Sequence, residues 1–224
     1  DAVVPGLHVV EGGQVSTGSI VNWLKNNAGG GIEKLAKERN CSIYDIFNEE
    51  AAKIKIGSEG LIHLDYWQGN RTPLVDSNIR GMIYGLSLKH TMAHIYRSTI
   101  EGISYGTEHI LRNFKEHGFT VNELYASGGA VKSKLWMQIH SDVSNIPIFI
   151  PEVSEATCLG AAILGAVAGG TYGDIPEAAN NMVSIVDKVL PNQEKHEEYK
   201  FYVDKYIEVY ALLRDWMHDV TRHQ

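Results

Sequence analysis

Short apolar runs alternate with amphipathic stretches in the order strand, strand, strand, helix, strand, helix, strand, helix. That order predicts a three-layer α/β domain of ribonuclease-H-like topology, with a mixed sheet and added C-terminal helices. The run Leu124–Ser127 passes straight into Gly128-Gly129 and then a helical stretch, the strand–turn–helix unit from which such sheets are built. At 224 residues and 44% hydrophobic content the chain is large enough to bury one sizeable core, and residues 1–224 are read as one domain.

Residues 7–16 read as a strand and turn, and Gly18 opens a helical segment through Ile20, Trp23 and Leu24. Residues 28–31, Ala-Gly-Gly-Gly, are a break. Residues 32–54 are charged and helical in character, with apolar positions at Leu35, Ile43, Ile46, Phe47 and Ala51. Residues 60–65 form a short strand, followed by a polar loop from Gln68 to Pro73. From His90 to Glu116 the apolar and small residues Met92, Ile95, Thr99, Ile103, Gly106, Ile110 and Phe114 recur at steps of three and four, which predicts a long helix with one buried face. After the Leu124–Ser127 strand come a helix over 134–143 and a strand over 146–150 that ends at Pro151. The Ala- and Gly-rich segment 156–169 is expected to be a helix packed closely against a flat surface, and Pro176 marks the first turn of another helix. From Gln193 onward, Tyr199, Tyr202, Tyr206, Val209, Leu213, Met217 and Val220 trace an amphipathic helix, docked on the core or presented to a partner.

A net charge of −7 argues against nucleic-acid or anionic-membrane surfaces. No apolar run reaches the ~18 residues of a membrane span, and no secretory signal opens the chain. Cys41 and Cys158 stand far apart without metal-ligand spacing, which suits structural thiols in a cytoplasmic protein. The sequons at Asn40 and Asn70 are chance matches on that reading. Because the first residue is Asp1 and not Met, the chain is expected to be a piece of a longer polypeptide.

The strongest local chemical signal is Ser127-Gly-Gly-Ala-Val-Lys-Ser133. Consecutive glycines after a strand let the backbone turn sharply and let a flat ligand approach without a Cβ in the way, and the helix that starts near Ser133 turns its amides toward that ligand. A tight turn with no ligand has the same pattern. The phosphate loop of the Gly-x-x-x-x-Gly-Lys-Ser type is excluded, since Val131 occupies the place of its second glycine, and no Gly-x-Gly-x-x-Gly follows a strand. His90 and His94 have zinc-compatible spacing, but Thr91 replaces the glutamate of a zincin, and no metal site is assigned. There is no Gly-x-Ser-x-Gly elbow, and Asp65 lacks the carboxylate partners that a two-metal nuclease requires.

Residues 81–86, Gly-Met-Ile-Tyr-Gly-Leu, are followed after seven positions by His94-Ile-Tyr-Arg-Ser98-Thr-Ile-Glu101. This matches the second signature of the FGGY carbohydrate kinases at each constrained position. Pro5-Gly6, Glu11-Gly12-Gly13, Asp76 before Arg80-Gly81, the Ser127-Gly128-Gly129 loop and Glu155-Ala-Thr-Cys-Leu-Gly160-Ala-Ala also resemble that family, in its order and over nearly the whole chain.

The resemblance implies the C-terminal, nucleotide-side domain of a two-domain enzyme of the actin-like ATPase superfamily that transfers the γ-phosphate of Mg-ATP to a sugar hydroxyl. ATP and Mg2+ are the implied cofactors. Aligned by motif with glycerol kinases, Gly18 and Asn22 fall on nucleotide-contacting positions, as do Gly129 and Ser133, which flank the adenine, with Ser133 standing where glycerol kinases have asparagine; Gly128 of the same loop is counted with them as cofactor-binding. The family's catalytic aspartate and its Gly-Thr phosphate loop belong to an N-terminal domain absent from this chain. No catalytic residue is therefore assigned, and the chain alone is expected to be inactive. Asp76, Arg80, Glu101 and Glu155 are read as structural.

The run Gly69-Asn70-Arg71-Thr72-Pro73 before Asp76 resembles ribulokinase-like members and favours a ketopentose, ribulose or xylulose, with other sugars and polyols open. Asn70 and Arg71 are candidates for substrate or phosphate contact, or for a loop-stabilising salt bridge. The implied partners are the sugar, ATP and the missing domain; a homodimer stays open. The competing reading is a non-catalytic actin-like nucleotide-binding or assembly module.

Overall fold

The computed structural model describes residues 3–28 and 30–223; Asp1, Ala2, Gly29 and Gln224 lie outside the described residues. Two helices, α1 (Gly18–Ala28) and α2 (Gly30–Glu38), open the chain. Gly30 and Gly31, expected in a break, are thus helical; in a first turn the amides lack intrahelical acceptors anyway, so glycine there is tolerated. The predicted helix over 32–54 is split. Ser42 starts a new helix, α3 (Ile43–Ala52), with a capping box: its Oγ accepts from Tyr44 N at 3.2 Å, and Asp45 Oδ2 accepts from Ser42 N at 2.9 Å. α3 buries Ile43, Ile46, Phe47 and Ala51, four of the apolar positions read from the sequence.

Residues 7–16 form no strand. A strand needs a ladder for its amides; this segment instead runs along the surface, with Val9 and Val10 exposed, and is held through Gly13, whose O accepts from Thr72 N and whose N donates to Thr72 Oγ1, each at 3.2 Å.

A short sheet pairs β1 (Ile62–Leu64) antiparallel with β2 (Met82–Tyr84), Ile62 opposite Tyr84. Before β1 the backbone turns left-handed at four successive residues, Gly57, Ser58, Glu59 and Gly60, with φ of 72°, 47°, 55° and 102°. α4 (Met92–Glu116) begins two residues later than predicted, behind the cap residue Thr91. Its middle, Tyr96 to Gly106, is buried throughout, because α1, α3, α5, α8 and β1 all pack around it. Each fully buried Ile on it, Ile100 and Ile103 among them, contributes about 1.5–3 kcal/mol.

The second sheet is mixed. β3 (Leu124–Tyr125) runs parallel to β4 (Ile148–Pro151), joined by α5 (Lys134–Ser144), and β4 pairs antiparallel with β5 (Ile185–Val189). Between them lie α6 (Ala156–Ala168) and α7 (Ile175–Met182), the latter capped by Asp174 with Pro176 in its first turn. α6 departs from expectation: of its 13 residues only Ile163 is buried, and the helix packs on α7 while its apolar face is open. The amphipathic tail is α8 (Gln193–Arg222), which docks on α4, α5 and β1 through Tyr199, Val203, Tyr206 and Met217. The result is the predicted α/β architecture with a mixed sheet and C-terminal helices, although β2 and β5 were not anticipated.

Candidate functional site

A cavity of about 800 Å3 opens between the start of α1, the outer face of α3 and the turn that joins β3 to α5, with Tyr96 and Ile103 of α4 as its floor. Gly18, Gly129 and Ser133 all line it, although more than a hundred residues separate the first from the others. Gly128 takes φ 82°, ψ −165°, backbone that side-chain-bearing residues avoid, and its N donates to Ser154 O at 3.0 Å. That kink sets Gly129 at the cavity edge, where an added Cβ would meet nothing within 4 Å; the same holds at Gly18. Both positions present bare backbone to open space, which suits the close approach of a flat ligand.

Ser133 does two jobs. Its Oγ accepts from Trp136 N at 3.1 Å, capping α5, and donates to Asn48 Oδ1 at 2.8 Å. Asn48, from α3, also accepts from Tyr96 O–H at 3.0 Å and lines the cavity. Gln14 and His140 close the inner end. Gln14 donates from Nε2 to Asp65 Oδ2 and to Ile103 O, both at 2.9 Å, and accepts from Thr107 Oγ1 at 2.8 Å. His140 Nδ1 pairs with Ser104 Oγ in a very short contact, and burial pulls the imidazole down to about 4, so it is neutral. Burial likewise pushes Asp65, beneath Gln14, up to about 6 despite hydrogen bonds from Tyr206 and Gln14. Asp45 reaches the cavity wall, but its carboxylate is already the capping-box acceptor for Ser42.

Asn22 lies exposed on α1 and, like Gly128, does not line the cavity. Asn70 and Arg71 sit in a different place. Asn70 and Asp76 exchange backbone hydrogen bonds of 2.8 Å in both directions, and Asn70 Oδ1 accepts from Leu74 N at 3.1 Å. Arg71 Nη2 lies 2.9 Å from Glu11 Oε1, an exposed ion pair that ties the loop to the N-terminal segment. Neither residue lines the cavity.

The 81–101 motif builds a frame around this region. A Cβ at Gly85, φ 95°, would fall 2.2 Å from Gly60 O, and one at Gly81 would strike Trp67. His94 Nδ1 accepts from Thr91 N at 3.1 Å and His90 Nδ1 from Ser87 N at 2.9 Å, so both imidazoles serve local turns. Thr99 Oγ1 meets His63 Nδ1 at 3.0 Å, while His63 Nε2 accepts from Trp67 Nε1 at 2.9 Å. Glu101 accepts from Arg97 Nε at 2.9 Å, Ser58 Oγ at 2.7 Å, Gly57 N at 3.2 Å and Tyr199 O–H at 3.2 Å, and so clasps the left-handed turn. Asp76 accepts from His218 Nε2 at 2.6 Å, Tyr210 O–H at 3.0 Å and Asn78 N at 2.9 Å. Arg80 donates to the carbonyls of Ser77 and Ile79 at 2.8 Å, whereas Glu155 makes no side-chain cap at α6. Among the described residues no cluster of three or more His, Cys, Asp or Glu is placed to hold a metal.

Asn48, Gln14 and His140 were not singled out from the sequence. Their polarity on otherwise apolar helical or turn segments is ordinary, and only the packing of α3 and α5 on α4 brings them to one cavity.

The family model described as "FGGY family of carbohydrate kinases, C-terminal domain" matches residues 1–169. A ribulokinase from Bacillus licheniformis is 37% identical over 94% of this chain and 40% of its own length. An FGGY carbohydrate kinase domain-containing protein from Xenopus laevis is 36% identical over 95% of the chain and 40% of its own. Among solved structures, a xylulose kinase from Rhodospirillum rubrum superposes with a TM-score of 0.78 at 28% identity, over 92% of this chain and 40% of the other. The chain thus spans about two fifths of the length of these relatives. Among the described residues no helix is long and apolar enough to cross a membrane.

Proposed function

Because the chain belongs to the FGGY family of carbohydrate kinases, matching its C-terminal domain, we propose that residues 1–224 form the nucleotide-side half of an ATP-dependent kinase that phosphorylates a ketopentose. One observation carries the nucleotide assignment: Gly18, Gly129 and Ser133, drawn from remote parts of the chain, border a single cavity of a size suited to a small-molecule ligand. Gly129 and Gly18 offer bare backbone to the ligand, and Gly128 holds the turn that makes this possible. On this reading Asn22, exposed on α1 and absent from the cavity lining, contributes little to binding.

Phosphoryl transfer needs the phosphates held, an acceptor hydroxyl in line, and a carboxylate to take or orient its proton. The buried carboxylates Asp65, Asp76 and Glu101 are committed to hydrogen bonds within the fold, which supports placing the base in the remainder of the polypeptide. Mg2+ is then expected to arrive on the phosphates and be completed by ligands from that other half. The open apolar face of α6 is a surface for the missing half to cover. A cytoplasmic location suits two free thiols and a need for ATP. A ketopentose as acceptor rests on the ribulokinase and xylulose kinase relatives. The Asn70–Asp76 loop supports that choice only by its sequence, since the structure gives Asn70 and Arg71 loop-holding contacts.

The test is titration of the chain with ADP, beside a Gly129→Asp variant. Half a cleft should bind with Kd near 1 mM, about −4 kcal/mol. Saturable binding that the variant loses supports the assignment. Binding that the variant retains moves the nucleotide elsewhere.

A further inference from the structure

The cavity wall carries a polar group whose orientation is set by its neighbours. Asn48 Oδ1 accepts two hydrogen bonds, from Ser133 Oγ at 2.8 Å and from Tyr96 O–H at 3.0 Å. Ser133 Oγ accepts from Trp136 N at 3.1 Å and gives its own proton to Asn48. Both hydroxyl protons go to Asn48 Oδ1, which uses its two lone-pair directions. Its Nδ2 is therefore the unengaged end of a side chain that lines the cavity, with no acceptor among the described residues. Ser133, by contrast, has spent its proton inside the fold.

We propose that Asn48 is a specificity-determining residue that donates its Nδ2 hydrogen to a ring nitrogen of the adenine of a nucleotide bound in this cavity. The inference rests on the nucleotide reading above and names the group that selects the base. Asn48 lies on α3, outside the Gly128–Ser133 turn, so the base is held between two elements: bare backbone at Gly129 on one side and an aimed amide on the other. The Ser133–Asn48–Tyr96 relay joins α5, α3 and α4, which fixes the donor before the ligand arrives.

Asn48→Asp separates the two ends of this side chain. A carboxylate keeps an oxygen for Ser133 and Tyr96 and replaces the donor with an acceptor that repels a ring nitrogen. ADP binding is read by NMR titration of wild type, Asn48→Asp and Gly129→Asp, with a thermal melt of each. The expected result is an Asn48→Asp melting point close to wild type and an ADP affinity weakened about tenfold or more, the scale of one lost and inverted hydrogen bond. If Asn48→Asp does not fold, Asn48→Ala takes its place and should weaken ADP about fivefold. Loss of binding in Gly129→Asp together with unchanged ADP affinity in the Asn48 variant overturns the role of Asn48 and leaves the nucleotide site standing. Absence of saturable ADP binding by wild type overturns both.

Discussion

Replacing Asp65 by asparagine should stabilise the chain near neutral pH and leave it almost unchanged in acid. The carboxyl is 4% exposed; Oδ2 accepts from Gln14 at 2.9 Å and Oδ1 from the Tyr206 hydroxyl in a short contact. Burial outweighs both bonds and lifts it from 3.8 to about 6. Between those values the folded chain keeps a proton that the unfolded chain has released, so stability falls as pH rises through the window. The displacement corresponds to about 3 kcal/mol once the pH exceeds the upper value. Asparagine has the shape and hydrogen-bonding character of the protonated acid and never ionises. Urea unfolding of the two proteins at about pH 4 and about pH 7.5 isolates this group, because every other titration is shared. The difference should be small at the lower pH and approach about 3 kcal/mol in favour of the variant at the higher, roughly 6–12 °C in melting point for a chain of this length. A wild type that is the more stable protein at the higher pH would refute the reasoning, since it would mean that Tyr206 and Gln14 stabilise the carboxylate by more than burial costs it.

Glu101→Gln should cost about 3–5 kcal/mol, because it leaves Arg97 buried without a counter-charge and turns an amide toward four donors; a loss below about 1 kcal/mol in a denaturant titration would show that the clasp on the left-handed turn is not held electrostatically. Tyr105→Phe should be neutral or stabilising by about 1 kcal/mol, since that hydroxyl is buried without a partner, and a clear drop in melting point would reveal a hydrogen bond to water at that position.

The long helix α4 was legible because its apolar residues recur at helical spacing over 25 residues, and so was α8, whose tyrosines fall on the buried face. Residues 7–16 misled because valines beside polar residues read as a strand, while the pairing that makes a strand depends on a neighbour the local sequence does not specify. β5 was missed for a related reason: its residues are mostly exposed, so no buried face imprints a pattern. At the candidate site, the Gly128-Gly129 pair after a strand announced the turn, and Gly128 takes the positive φ that favours glycine. Asn48 carried no such signal. Its orientation comes from Ser133 and Tyr96, which are 85 and 48 residues away, and no local rule connects them.

The buried carboxylates Asp65, Asp76 and Glu101 all take a hydroxyl or imidazole partner from α8: Tyr206, Tyr210 with His218, and Tyr199. Asp76 and His218 are 142 positions apart. A ribosome adding 5–20 residues per second needs roughly 7–28 s to travel between them. Until α8 is made, the three acidic groups lack the hydroxyl and imidazole partners that it supplies. Their full native set of hydrogen bonds therefore waits for the closing helix to emerge, and the early part of the chain is held in its final form by a segment made last.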